Sequence, residues 1–368
     1  MLNQFLSFIS KEFSQLVKIN PVKRHWTIPV MASICVGFPM LIGLLLGDFK
    51  TSLTVSLGGL VILYLPSNKN IVGRISKLLI CSFGFIISYI IGVTFSFDPW
   101  ISCFVFGIFS GCVYFLTKMF EVGPPGNFFF IMIAAMASGI PFSLEDIPTR
   151  VGLITLGTLF SCVVAFVFSV LVFKPNIQKD VQEAFSKSYQ VKDVDYVEAF
   201  IIGCFLSGSL IAAHFIGMNN PYWVPISCLA VMQGVSVKHI WQRGFSRTLG
   251  TTLGMFFCWG ILIFTDTPIQ IILTIVLLQF IIENLIVKNY FFAMLFITPM
   301  TILLSEVGSP ISLEPDVLIL SRLKDVLLGT FFGIVGGWVI YNEKLRFQAV
   351  KQIRITRKFT NNIKKSDR

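Results

Sequence analysis

Residues 149–160, TRVGLITLGTLF, can be laid on residues 321–332, SRLKDVLLGTFF. Arg150 then falls on Arg322, Leu156-Gly157-Thr158 on Leu328-Gly329-Thr330, and Phe160 on Phe332, at an offset of 172. Ser76-Lys77 and Gly84 meet Ser246-Arg247 and Gly254 at 170, and NFFF at 127–130 meets NYFF at 289–292 at 162. The chain therefore reads as two copies of one unit with loops of different length. Each copy holds six apolar stretches. An even number makes both copies enter the bilayer from the same side, giving parallel repeats about an axis along the membrane normal.

The surrounding composition demands a membrane. Apolar residues make up 55% of the 368 positions and charged residues 13%, with a mean hydropathy of +0.80. Soluble domains carry about a quarter charged residues, and only a bilayer can cover this much apolar surface. Twelve stretches lack Asp, Glu, Lys and Arg, among them 51–66, 78–97, 127–144, 221–237, 248–265 and 290–305. The expected fold is an all-α polytopic membrane protein of about twelve transmembrane helices. Several stretches are short for ~30 Å of hydrocarbon, so re-entrant segments stay open. With the N-terminus inside, 25 of the 29 Lys and Arg fall on the cytoplasmic side, leaving Lys50, Arg150, Arg322 and Lys324 outside. That asymmetry predicts cytoplasmic N- and C-termini and a multi-pass protein of the bacterial inner membrane.

The expected units are an amphipathic cytoplasmic helix over 1–27, a first repeat over 28–173, a charged cytoplasmic linker over 174–198, a second repeat over 199–342 and a basic tail over 343–368. The tail carries nine Lys and Arg. After a final apolar segment, such a tail points to anionic lipid at the cytoplasmic leaflet and not to nucleic acid. All eight cysteines lie in apolar stretches without a CxxC pair, so neither a disulfide nor a metal is expected. No nucleotide-binding or nucleophile motif occurs, and His25, His214 and His239 are scattered. The reading is of a protein that is not an enzyme, with no catalytic residues and no cofactor.

The candidate binding residues cluster in the second repeat. Arg243 and Arg247 share a helix face, either as a vestibule that gathers anions or as cytoplasmic topology determinants. Gly250 and Gly254 let a neighbouring helix come close. Glu283 stands at the edge of a span, either as a proton-coupling group or paired with Lys288 in a headgroup-level loop. Arg322 and Asp325, three apart, can pair with one another, or Arg322 can hold a substrate carboxylate. Arg150 is the first-repeat counterpart of Arg322, but Leu153 stands where Asp325 would be. Trp223 and Tyr290 supply aromatic faces beside these charges.

These residues carry a family resemblance. PYWVPIS at 221–227, Val231 with Gln233, Gln242-Arg243, Arg247-Thr248 with Gly250-Thr251, Glu283 through Tyr290, Ile297-Thr298-Pro299, and Arg322 with Asp325 and Gly329 resemble the fusaric acid resistance (FUSC) family. The first half resembles it more loosely, through VGPPG at 122–126 and through Arg150 with Gly157. The resemblance implies an inner-membrane exporter related to aromatic acid exporters and, distantly, to plant malate channels. The chain departs from the pattern at Lys288, where Arg is expected, and lacks the large cytoplasmic domain of many relatives.

The expectation is a secondary transporter exporting a small organic, aromatic carboxylate. Arg243 and Arg247 would admit the anion, Trp223 and Tyr290 would pack against it, and Arg322 would be its counter-charge. Coupling to protons would run through Glu283. An anion channel of the same topology and a non-transporting envelope protein remain as alternatives, and assembly into a homo-oligomer is open.

Overall fold

The computed structural model describes residues 17–22, 25–66, 71–173, 195–265, 267–306 and 315–342. The expected amphipathic start, most of the 174–198 linker and the basic tail lie outside the described residues. Those described form helices and turns without a strand. The helices are α1 (Thr27–Leu45), α2 (Phe49–Gly59, followed by a 3-10 turn over Leu60–Tyr64), α3 (Ile71–Thr94) and α4 (Pro99–Met119). Then come α5 (Phe128–Ser138), α6 (Ile147–Phe173), α7 (Tyr196–Ile216) and α8 (Trp223–Met232). The chain continues through α9 (Val237–Ile263), α10 (Pro268–Leu285), α11 (Tyr290–Glu306) and α12 (Pro315–Tyr341).

Local chemistry sets several of these boundaries. Asp98 accepts hydrogen bonds from the amides of Trp100 and Ile101 at the start of α4, with Pro99 as the first helical residue. Thr267 and Gln270 form a capping box before Pro268 opens α10. Ser236 accepts from the amide of His239 and starts α9 at Val237. The cap makes 238–247, which precede the apolar stretch at 248–265, the first turns of a 27-residue helix. Its basic residues are thereby carried into the bundle.

Among the described residues, seven helices are long and apolar enough to cross a membrane. Their outward faces carry large apolar side chains such as Phe104, Phe215 and Phe331, as lipid contact requires. The chain is a multi-pass, all-helical membrane protein. Two of the stretches expected to be short form helices of about half the length of a full span. Helices α5 and α8 have 11 and 10 residues. At 1.5 Å per residue they reach about 15–17 Å, half the hydrocarbon thickness.

The packing pairs recur between the halves. In the first, α2 lies along α6, α3 packs on α5 and α6, and α1 on α2. In the second, α8 lies along α12, α9 packs on α11 and α12, and α7 on α8. The halves join where α4 meets α7 and α10 meets α1. A Cβ on Gly157 would collide with the Val55 carbonyl, and one on Gly329 with the Val224 carbonyl. Both glycines therefore exist to let a half-length helix lie against a long one. Gly250 and Gly254 do the same for α9 against Phe291, Met294 and Leu295 of α11. Serines hold the crossings: Ser207 Oγ donates to Cys103 O at 2.8 Å between α7 and α4, and Ser56 Oγ to Val36 O at 2.7 Å.

Candidate functional site

Helix α8 is the spine of the site. Trp223, Ser227 and Ala230 are four and three residues apart, so they line one face. Each meets a guanidinium. Arg243 Nε donates to Ala230 O at 2.8 Å, Arg247 Nη2 donates to Ser227 Oγ at 3.0 Å, and Arg322 Cζ lies 3.5 Å from the Trp223 ring centroid. Three cations are thus strung along about 10 Å of helix.

The first of these contacts follows from where α8 stops. The amide of Gly234 bonds to Val231 O, so Ala230 O loses its intrahelical partner, and Arg243 supplies one. A cation at a helix C-terminus also meets the favourable end of the dipole. Helix α11 braces the pair from the other side. The Tyr290 ring lies 4.4 Å from Arg243 Cζ, and its hydroxyl accepts from Arg247 Nη1 at 3.3 Å. The Met294 sulfur stands 3.8 Å from the same nitrogen.

These groups border a cavity of about 420 Å³, within the size range of small-molecule sites. Helix α10 adds Glu283, whose Oε1 accepts from Gln279 Nε2 at 3.2 Å. Glu283 is 4% exposed and faces the cavity, so it is buried within the bundle. Among the lining residues, three arginines face this one carboxylate. Trp223 Nε1, Arg247 Nε and Thr251 Oγ1 are buried here without a hydrogen-bond partner from the protein, as is Gln279 Oε1. Buried donors of this kind call for an acceptor. Positive charge in a low-dielectric space is costly unless an anion answers it.

The structure brings Trp223, Arg243, Arg247, Glu283, Tyr290 and Arg322 to one cavity. It does not bring Arg150 there. Arg150 Nη2 bonds Asp146 Oδ2 at 3.0 Å, and Nη1 donates to Pro141 O at 2.9 Å, at the start of α6. Two differences between the aligned segments go with this. At the offset of 172, the place of Asp146 is taken by Leu318. The Gly157–Val55 and Gly329–Val224 contacts put Thr54 where the second copy has Trp223. Arg150 has an acid at hand and no ring to lie over. Asp325 is 1% exposed within α12 and is not part of the lining.

Sequence reasoning missed two groups. Gln279 stands one turn before Glu283, a spacing that could have revealed it. Leu57, Leu60, Leu63, Phe129, Met132 and Met136 come from the first half and line the same cavity. Apolar residues in an apolar chain carry no such signal.

Residues 206–336 match a family model described as fusaric acid resistance protein-like. The matched region contains every charged residue of the cavity lining. Over 147 residues, 40% of this chain, the protein is 29% identical to an uncharacterized membrane protein of Bacillus subtilis (strain 168), YvaC. That similarity spans 23% of the relative's length. No solved structure matches the chain.

Proposed function

We propose, taking the match over residues 206–336 as the premise, that the protein is a secondary transporter exporting small organic, aromatic carboxylates across the bacterial inner membrane. The supporting observation is the row of Arg243, Arg247 and Arg322 along one face of α8, inside a membrane cavity bordered by a single carboxylate. Three guanidiniums against one carboxylate leave an excess of positive charge for an anion to answer. In this reading twelve helices form two parallel repeats with cytoplasmic termini. The anion enters past Arg243 at the α8 C-terminus, is held by Arg247 and leaves past Arg322. The helices that join the halves, α4 with α7 and α1 with α10, are the surfaces that slide during alternating access. Glu283, hydrogen-bonded to Gln279 beside the arginines, takes up a proton as the anion departs.

The test is uptake of labelled carboxylates into inverted vesicles, with and without a pH gradient. Protein-dependent accumulation of an aromatic carboxylate, lost in Arg247→Gln, is expected. Accumulation equal to that of empty vesicles rules the transporter out. Proton movement undiminished in Glu283→Gln removes the antiport step alone. Unitary currents in planar bilayers would favour the channel of the same topology.

A further inference from the structure

The cavity has two unlike walls, and each comes from a different half of the chain. Every charged lining residue belongs to the second half. The lining residues of the first half carry no charged or polar side chain. Leucines from α2 and its 3-10 turn and the thioethers of Met132 and Met136 dominate that wall. Unbranched thioethers adapt to the shape presented to them. Of the rings in the lining, one face of Trp223 is covered by Arg322, one face of Tyr290 by Arg243, and Phe128 and Phe129 pack edge to face against each other.

We infer that the first-half wall determines specificity, so that the protein selects amphipathic monocarboxylates whose apolar body is read by bulk and not by aromatic character. The inference rests on the anion-transport reading and deepens it. The carboxylate lies toward α8 and the guanidiniums; the body lies against Leu57, Leu60 and Met132. With the body laid along that wall, a second carboxylate at its far end would be stripped of water and without a partner. Small dicarboxylates are therefore excluded by the half of the protein that carries no charge in the cavity. A saturated ring fits where a flat one does.

The test is calorimetric titration of the purified full-length protein with benzoate, cyclohexanecarboxylate, octanoate and succinate. Benzoate and cyclohexanecarboxylate should bind within about threefold of each other, and succinate about tenfold or more weakly. Leu57 is only half-buried, so Leu57→Ala leaves the fold intact while enlarging the wall. It should shift the octanoate-to-benzoate affinity ratio toward octanoate by about tenfold. Succinate binding as tightly as benzoate, a strong preference for the flat ring, or an unchanged ratio in Leu57→Ala each overturns the inference alone. Failure of all four acids to bind a protein that unfolds cooperatively overturns the anion reading, and the inference with it.

Discussion

Arg322 and Arg150 align in the sequence but stand in different surroundings. Arg322 is 5% exposed and lies over an indole, while Arg150 is held by an aspartate and a carbonyl near the surface. A guanidinium stacks on a ring as a flat, weakly hydrated cation; an ammonium keeps the charge and loses the plane. Arg322→Lys should therefore raise KM for the carboxylate roughly tenfold, equivalent to about 1–2 kcal/mol. Arg150→Lys should leave KM unchanged, and vesicle uptake measures both. The signals behind this contrast were legible in the sequence, at Leu318 against Asp146 and at Trp223 against Thr54. They are readable only once the two copies are superposed in space, because loop lengths shift the offset between 162 and 172.

At the scale of the element, the short helices decide the architecture. Helix α8 can lie flush against α12 only because Gly329 offers no Cβ to the Val224 carbonyl. Gly329→Ala should cost about 1–3 kcal/mol through overpacking, whereas Gly152→Ala, which meets nothing within 4 Å, should stay within about 1 kcal/mol of the parent. Thermal unfolding in detergent distinguishes the two. The glycine landmarks were visible in the chain as a repeated Leu-Gly-Thr, and hydropathy alone located the apolar stretches. The true lengths of α5, α8 and α9 were not visible. Helix α9 starts at a serine cap that sits amid basic residues, and charge counting assigns such a stretch to a loop. Helices α5 and α8 end inside longer apolar runs, whose remaining residues form turns that no hydropathy window separates. The first-half wall was hidden for a related reason: a leucine facing a ligand and a leucine facing lipid look alike.

At the scale of the whole molecule, each half completes the other. The charged wall belongs to one copy and the apolar wall to the other, and the copies meet through α4 with α7 and α1 with α10. Two polypeptides produced by dividing the chain within 174–194 should therefore restore uptake when made together, while neither restores it alone. A further strap crosses the same divide. The amide of Asn20 donates to Lys288 O at 2.9 Å, and Asn289 Nδ2 donates to Lys18 O at 3.0 Å, tying the approach to α1 onto the turn before Tyr290. Asn289→Ala should loosen that turn and raise KM through Tyr290, and restoring the amide with Asn289→Gln should recover part of the loss. Finally, in the proposed carrier a helix α8 about half as long as the hydrocarbon is thick leaves a thin insulating layer beside the arginines. The resting voltage of the cell then drops over a short distance at the cavity. For an anion leaving a negatively charged interior, that voltage contributes about 2.3 kcal/mol per charge for every 100 mV. Expulsion of a monoanion is then downhill on the electrical term alone, and liposomes clamped with a potassium ionophore should speed it as the lumen is made more negative.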